Sequence, residues 1–429
     1  MVSRIRRVHA REVFDSRGRP TVEADVELDD GSMGRAIVPS GASTGQHEAH
    51  ELRDGDLSRY GGLGVRGAVA NVRDVLGPGV CQLEVHDQST VDARLRELDG
   101  SANLGRLGAN AVLAVSMAAC RAAASSQRLP LWRHIADLAH IEQPVVPLPM
   151  VNSLSGGAHA RGGMDVQDFL AIAVGAASLD EARLFVWRVR TAAAALLADE
   201  GRPVLLADEG GFSPGFLRAD EALQFMVRAI ERAGLRPGDD VAMAIDVAST
   251  QLVGQDGVYD LRREGLTLSS AEMCARVADW LKRYPIVSIE DPLAEDDWPA
   301  WNTLTQQVHC QLIGDDLFCT NPARIQRGID DHVANAVLIK VNQIGTVSDA
   351  LEAVALSSSA GYRAVVSARS GETEDSFIAD LAVGTAAGQI KVGSLATSER
   401  LGKYNQLVRI AEDVGGEAFS HVGAELARR

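Results

Sequence analysis

The sequence predicts an α/β protein in two parts, a smaller α+β region over residues 1–142 and a larger strand-helix region over residues 143–429. Three observations carry that prediction. A chain of 429 residues exceeds what one ordinary core organises, so two units are expected. The opening alternates apolar and polar positions, whereas the later chain carries short continuous apolar runs separated by helix-length segments. Between them, QPVVPLPMVN at 143–152 packs three prolines into ten residues and reads as a join.

Over residues 4–38 the alternation, as in TVEADVELDDG, puts Val22, Ala24, Val26 and Leu28 on one face of an antiparallel strand whose other face meets water. From 64 to about 138 the pattern turns helical and alanine-rich. GANAVLAVSMAACRAAASSQ is apolar on all sides, which is the mark of a buried helix. Beyond the join, VAMAIDV at 241, IVSIED at 286, QLIGDD at 311, AVLIKVNQ at 336 and AVVSARS at 364 read as parallel strands covered on both faces. That is the pattern of a βα barrel or a doubly wound sheet.

The 42 basic and 58 acidic residues leave a formal charge of −16, which argues against nucleic acid and anionic membrane as partners. Small anionic ligands remain possible where local cations override that field. Cys81, Cys120, Cys274, Cys310 and Cys319 are odd in number and never spaced CxxC, so neither a disulfide framework nor a thiolate zinc site is expected. With no targeting segment and no membrane span to be read, a cytoplasmic protein is expected.

The chemistry sits at the strand ends. Asp246, Glu290, Asp315 and Lys340 each close an apolar run, spaced one strand and one helix apart, and strand ends of a parallel βα barrel converge on one mouth. A single such Asp can equally be a helix cap. Three carboxylates sharing one point repel unless protonated or neutralised by a cation, and an all-oxygen donor set suits Mg²⁺ rather than zinc. Lys340, in the apolar VLIKVN, can pair inertly with these acids or serve as a base beside a carboxylate.

Glu209 in LLADEGGFSP is a candidate acid and equally a turn residue. PSGASTGQHE at 39–48 and SGGAHARGG at 155–163 read as mobile loops with Ser43, Thr44 and His159 as their reactive members. Arg369 and Ser370 can grip a phosphate, and Lys391 in AGQIKVG can neutralise a carboxylate. A small substrate carrying both phosphate and carboxylate is implied.

SGASTG, GDDL, IEDP, LIKVNQIGT, SARSGETED and KYNQLVRI resemble enolase, in register from DSRGRPTVE near residue 15 to about residue 413. The resemblance implies an N-terminal α+β domain before an atypical βα (TIM-like) barrel, two Mg²⁺ ions, a homodimer, and dehydration of 2-phospho-D-glycerate to phosphoenolpyruvate. Carried over by position, Asp246, Glu290 and Asp315 would hold the first Mg²⁺ and Ser43 the second. Lys340 would be the base, Glu209 would assist loss of the hydroxyl, Arg369 and Ser370 would bind phosphoryl, and Lys391 and His159 would complete the site.

Two positions depart from the family's pattern. In VQDF, Asp168 follows Gln167 where the family carries a glutamate, one methylene longer; in SARSGETED, Ala368 stands where the family has histidine. Both positions line the family's substrate site. An intact catalyst with a changed pocket is the expected reading, as in the carboxyphosphonoenolpyruvate synthases, enolase relatives that dehydrate a glycerate whose phosphoryl carries an extra carboxylate. Ordinary enolase activity and a non-catalytic binding protein are the alternatives.

Overall fold

The computed structural model describes residues 3–42, 44–254, 257–415 and 418–428. It opens with a three-stranded antiparallel sheet, β1 (Ile5–Phe14), β2 (Pro20–Leu28) and β3 (Met33–Ile37), in that spatial order. The β1–β2 turn is set by Asp15, whose Oδ1 accepts from the backbone N–H of Arg17 and Arg19, both at 2.8 Å. On one face lies the alanine-rich helix Ala109–Gln127, buried along nearly its whole length as its composition predicts. It comes so close that a Cβ at Gly34 would fall 2.1 Å from the carbonyl oxygen of Ala118, so that strand position must be glycine.

The other face departs from the expectation of a water-facing side. Glu23 and Asp25 of β2 are themselves buried, because Arg11 from β1 and Arg35 from β3 fold over them as counter-ions. Arg35 Nε lies 2.6 Å from Asp25 Oδ1. Alternation shows which residues point away from the core, but not what covers them.

The larger region is a closed eight-stranded barrel. Its strands are β4 (Leu148–Ser155), β5 (Asp168–Ile172), β6 (Ala242–Asp246), β9 (Ile286–Glu290), β10 (Gln311–Gly314), β11 (Ala336–Ile339), β12 (Arg363–Ser367) and β13 (Gln389–Gly393). A small hairpin, β7 (Tyr259–Leu261) with β8 (Leu266–Leu268), lies outside it. Around the barrel the order is β10, β11, β12, β13, β4, β5, β6, β9. This decides between the two α/β arrangements in favour of the barrel.

One strand is reversed. β5 runs antiparallel to both β4 and β6, while every other neighbouring pair is parallel. The 156–167 connection folds back on itself, with Gly156 N donating to Gln167 O at 2.7 Å, and carries one short helical turn at Gly157–Ala160 in place of a crossover helix. The start of β5 therefore shares the mouth with the ends of its neighbours, and Asp168 pairs with both Ser155 and Asp246.

The N-terminal domain docks on that mouth. Ser40 and Gly371 exchange two backbone hydrogen bonds of 2.8 Å, Ser16 N donates to Glu372 O at 2.7 Å, and Arg121 grips the carboxylate of Asp375 at 2.7 and 3.0 Å. Among the described residues no helix is long and apolar enough to cross a membrane.

Candidate active site

Six of the eight barrel strands deliver charged or polar residues to the mouth. Asp246 closes β6 and lies level with Glu290, which closes β9; Asp315 follows β10; Lys340 follows β11; Arg369 and Ser370 follow β12; Lys391 lies in β13. All seven are buried. They meet as ion pairs: Lys391 Nζ is 2.8 Å from Asp246 Oδ2 and 2.6 Å from Glu290 Oε2, and Lys340 Nζ bonds Asp315. Gln343 Nε2 donates to the other oxygen of Asp315 at 2.8 Å, and Gln167 Nε2 to Asp246 at 3.2 Å.

Burial works against every one of these charges, so the partners decide the outcome. Asp246 and Asp315 are held below the usual carboxylate range because Lys391 and Lys340 outweigh their burial. Glu290 is pushed well above it by burial and by the neighbouring Asp246. Burial would lower Lys340, but Asp315 and Glu290 together more than offset it, so its ammonium is favoured. Glu290 Oε1 is buried and has no hydrogen-bond partner among the described residues, an acceptor left open inside a cluster of acids. Asp246, Glu290 and Asp315 offer the all-oxygen donor set that a hard divalent cation takes, but their oxygens are engaged by Lys391 and Lys340 and are not gathered as one ligand group; among the described residues the groups that do come together are His159, Asp168 and Glu209, and Asp291, Asp315 and Asp316.

The opposite wall holds His159, Asp168 and Glu209, all buried. Asp168 is fully engaged: Oδ2 lies 2.7 Å from His159 Nδ1, and Oδ1 accepts from Asn152 Nδ2 at 2.7 Å and Ser155 Oγ at 2.8 Å. The far side of the imidazole, Nε2, faces Glu209 Oε1 at 3.6 Å. Burial disfavours the imidazolium, but Asp168 and Glu209 outweigh it and lift His159 to about 9. Glu209 is held low in turn, chiefly by His159 acting against its burial.

At the third wall Arg369 forms a two-pronged pair with Glu48, at 2.9 and 3.2 Å, and Ser370 Oγ accepts from Ala42 N at 2.7 Å. Ala368 is buried beside them, its N–H on Lys391 O at 2.8 Å. Ser43 lies outside the described residues, and Thr44 is exposed.

Several residues at this mouth escaped the sequence reading. Asp291 accepts the N–H groups of Asp315 and Asp316 at 2.9 and 2.8 Å and so fixes the turn that presents Asp315; with those two residues it forms a second group able to hold a cation. Its place in IEDP, directly after Glu290, was the available signal. Arg400 lies wholly buried behind the grip and donates to Ser370 O at 2.8 Å and Val392 O at 2.9 Å. Nothing in its helix-length surroundings distinguishes it from a surface arginine.

A barrel with one reversed strand, capped at its mouth by an α+β domain and lined there with acids and lysines, is the class of enzyme fold that two family models identify as enolase-type, one that supports a hydro-lyase of the enolase superfamily. Residues 143–428 match the family model described as "Enolase, C-terminal TIM barrel domain", and residues 5–135 the one described as "Enolase, N-terminal domain". The chain belongs to the enolase family.

Proposed function

We propose that this protein dehydrates a glycerate bearing a phosphoryl group at C2, and that this phosphoryl is enlarged by a carboxylate, as in the substrate of carboxyphosphonoenolpyruvate synthases. Lys340 Nζ takes the C2 proton, the C3–O bond breaks as the His159–Glu209 pair delivers a proton, and water leaves as the C2–C3 double bond forms. Lys340 follows β11, whereas His159 and Glu209 come from the connections on either side of β5, four places away in the barrel order, which supports separate groups for the proton and the hydroxyl. Arg369 and Ser370 hold the phosphoryl, Lys391 neutralises the substrate carboxylate, and Gln167 steadies Asp246.

Mg²⁺ drawn to Asp246, Glu290 and Asp315 would supply the positive charge that draws Asp315 away from Lys340 and stabilises an enolate. Asp168 acts here through His159, which its carboxylate orients.

The observation that carries the substrate assignment is Ala368, a methyl group directly before Arg369 at the phosphoryl grip. A smaller residue there favours a larger phosphoryl substituent. The retained lysine, acids and grip also support a second reading, plain conversion of 2-phospho-D-glycerate to phosphoenolpyruvate. We further propose a cytoplasmic homodimer: the cysteines are odd in number and never spaced CxxC, and Phe14, Leu57 and Tyr60 on one domain and Leu184, Trp187 and Leu205 on the other are exposed apolar residues of the kind a second subunit covers.

The test compares turnover of phosphonoformyl glycerate and 2-phosphoglycerate with Mg²⁺, read by ultraviolet absorbance of the enol product, with Lys340→Ala as control. The modified substrate is expected to turn over faster, and Ala368→His to shift the ratio toward 2-phosphoglycerate. An unchanged ratio in Ala368→His refutes the substrate assignment.

A further inference from the structure

Arg369, assigned above to the phosphoryl grip, already holds an anion that the chain itself supplies. Nη1 lies 2.9 Å from Glu48 Oε2 and Nη2 3.2 Å from Glu48 Oε1, the parallel two-bond geometry in which a guanidinium binds a carboxylate most strongly. Both side chains are more than nine-tenths buried. Glu48 comes from the N-terminal domain, 321 residues away in sequence. It is steadied there by Gly45 N, which donates to Oε1 at 3.0 Å.

A plain structural tie between domains is the competing explanation. The domains are already joined close by, through Ser40 with Gly371, Ser16 with Glu372 and Arg121 with Asp375, none of which involves Arg369. Moreover, Arg369 and Glu48 together line a polar cavity with Thr44, Gln46, His50 and Asn342, so an incoming anion can reach the pair. A tie needs no such access.

We propose that Glu48 is a specificity-determining residue, the resident counter-anion of Arg369 that an incoming phosphoryl must displace. The proposal rests on the reading of Arg369 as the grip. A ligand carboxylate offers the same single charge and the same two oxygens as Glu48, so exchange gains it nothing. A phosphoryl or phosphonate group brings a second charge and a third oxygen, and exchange favours it. The internal anion thus lowers the affinity for every anion, and simple carboxylates fall below useful binding first.

The test uses the full chain with Mg²⁺ and titrates inorganic phosphate and acetate, by calorimetry, into the wild type, Glu48→Gln, Glu48→Asp and Arg369→Gln. Glu48→Gln should tighten phosphate binding roughly tenfold or more and make acetate binding measurable, since a charge-assisted pair no longer competes. Glu48→Asp keeps the charge with a shorter reach and should fall between, which guards against a folding defect in either variant alone. If Arg369→Gln loses phosphate while both Glu48 variants bind as the wild type or more weakly, Glu48 is a structural tie and the inference is overturned. If Arg369→Gln binds phosphate as the wild type does, the grip itself is misassigned.

Discussion

Asp168→Asn isolates the charge that holds the imidazole of His159. The carboxylate is 2.7 Å from Nδ1 and is the largest influence raising His159 from 6.5 to about 9 against its burial. That rise is on the order of 3 kcal/mol at about 1.4 kcal/mol per pH unit, shared among Asp168, Glu209 and Asp246. Asparagine keeps the size but not the charge, so at least half of the rise should go, on the order of 2 kcal/mol.

The sign for stability follows from a folded-state pKa above the unfolded one. The contribution is fully present below 6.5 and is lost as pH rises through about 9. In the chelator-treated protein, the His159 ring should titrate near 9 in the wild type and at least one pH unit lower in Asp168→Asn, followed by NMR. The wild type should also lose more stability than the variant between pH 6.5 and 9 in chemical denaturation. A His159 that still titrates near 9 in Asp168→Asn would refute the reasoning.

Mg²⁺ should raise the melting temperature of the wild type, about 2.7 kcal/mol of stabilisation at a concentration one hundred times its dissociation constant, and Glu290→Gln should abolish that increment, measured against the variant's own metal-free melting temperature. A persisting increment would move the cation away from Glu290. Gly34→Ala should destabilise the N-terminal domain by about 3 kcal/mol or more, because its Cβ would overlap the backbone of the helix Ala109–Gln127; denaturant titration checks this, and a neutral result would mean that the sheet and helix can separate there.

Much of the architecture was legible locally. The apolar runs ending at Asp246, Glu290, Asp315 and Lys340 are strand ends because burial on both faces leaves continuous apolar sequence, and a polar residue marks where the strand reaches the mouth. The helix Ala109–Gln127 was equally plain from an apolar surface on all sides. The antiparallel β5 was not, since the periodicity of DFLAI is the same in either direction, and its reversal depends on how the 156–167 connection folds.

The sequence by itself therefore determined the strands that run up to Asp246, Glu290, Asp315, Lys340 and Arg369, the buried helix Ala109–Gln127, and the charged groups at those strand ends, all properties of neighbours along the chain; β4, which begins inside the stretch read as a join, and β5 were not among them. Only the tertiary structure decided the partners: Lys391 with Asp246 and Glu290, Asp168 with His159, Arg11 and Arg35 over Glu23 and Asp25, and Glu48 on Arg369. The reason is physical. A buried charge must find a counter-charge wherever the fold brings one within a few ångströms, and that distance is set by packing across the barrel and between domains rather than by spacing in sequence.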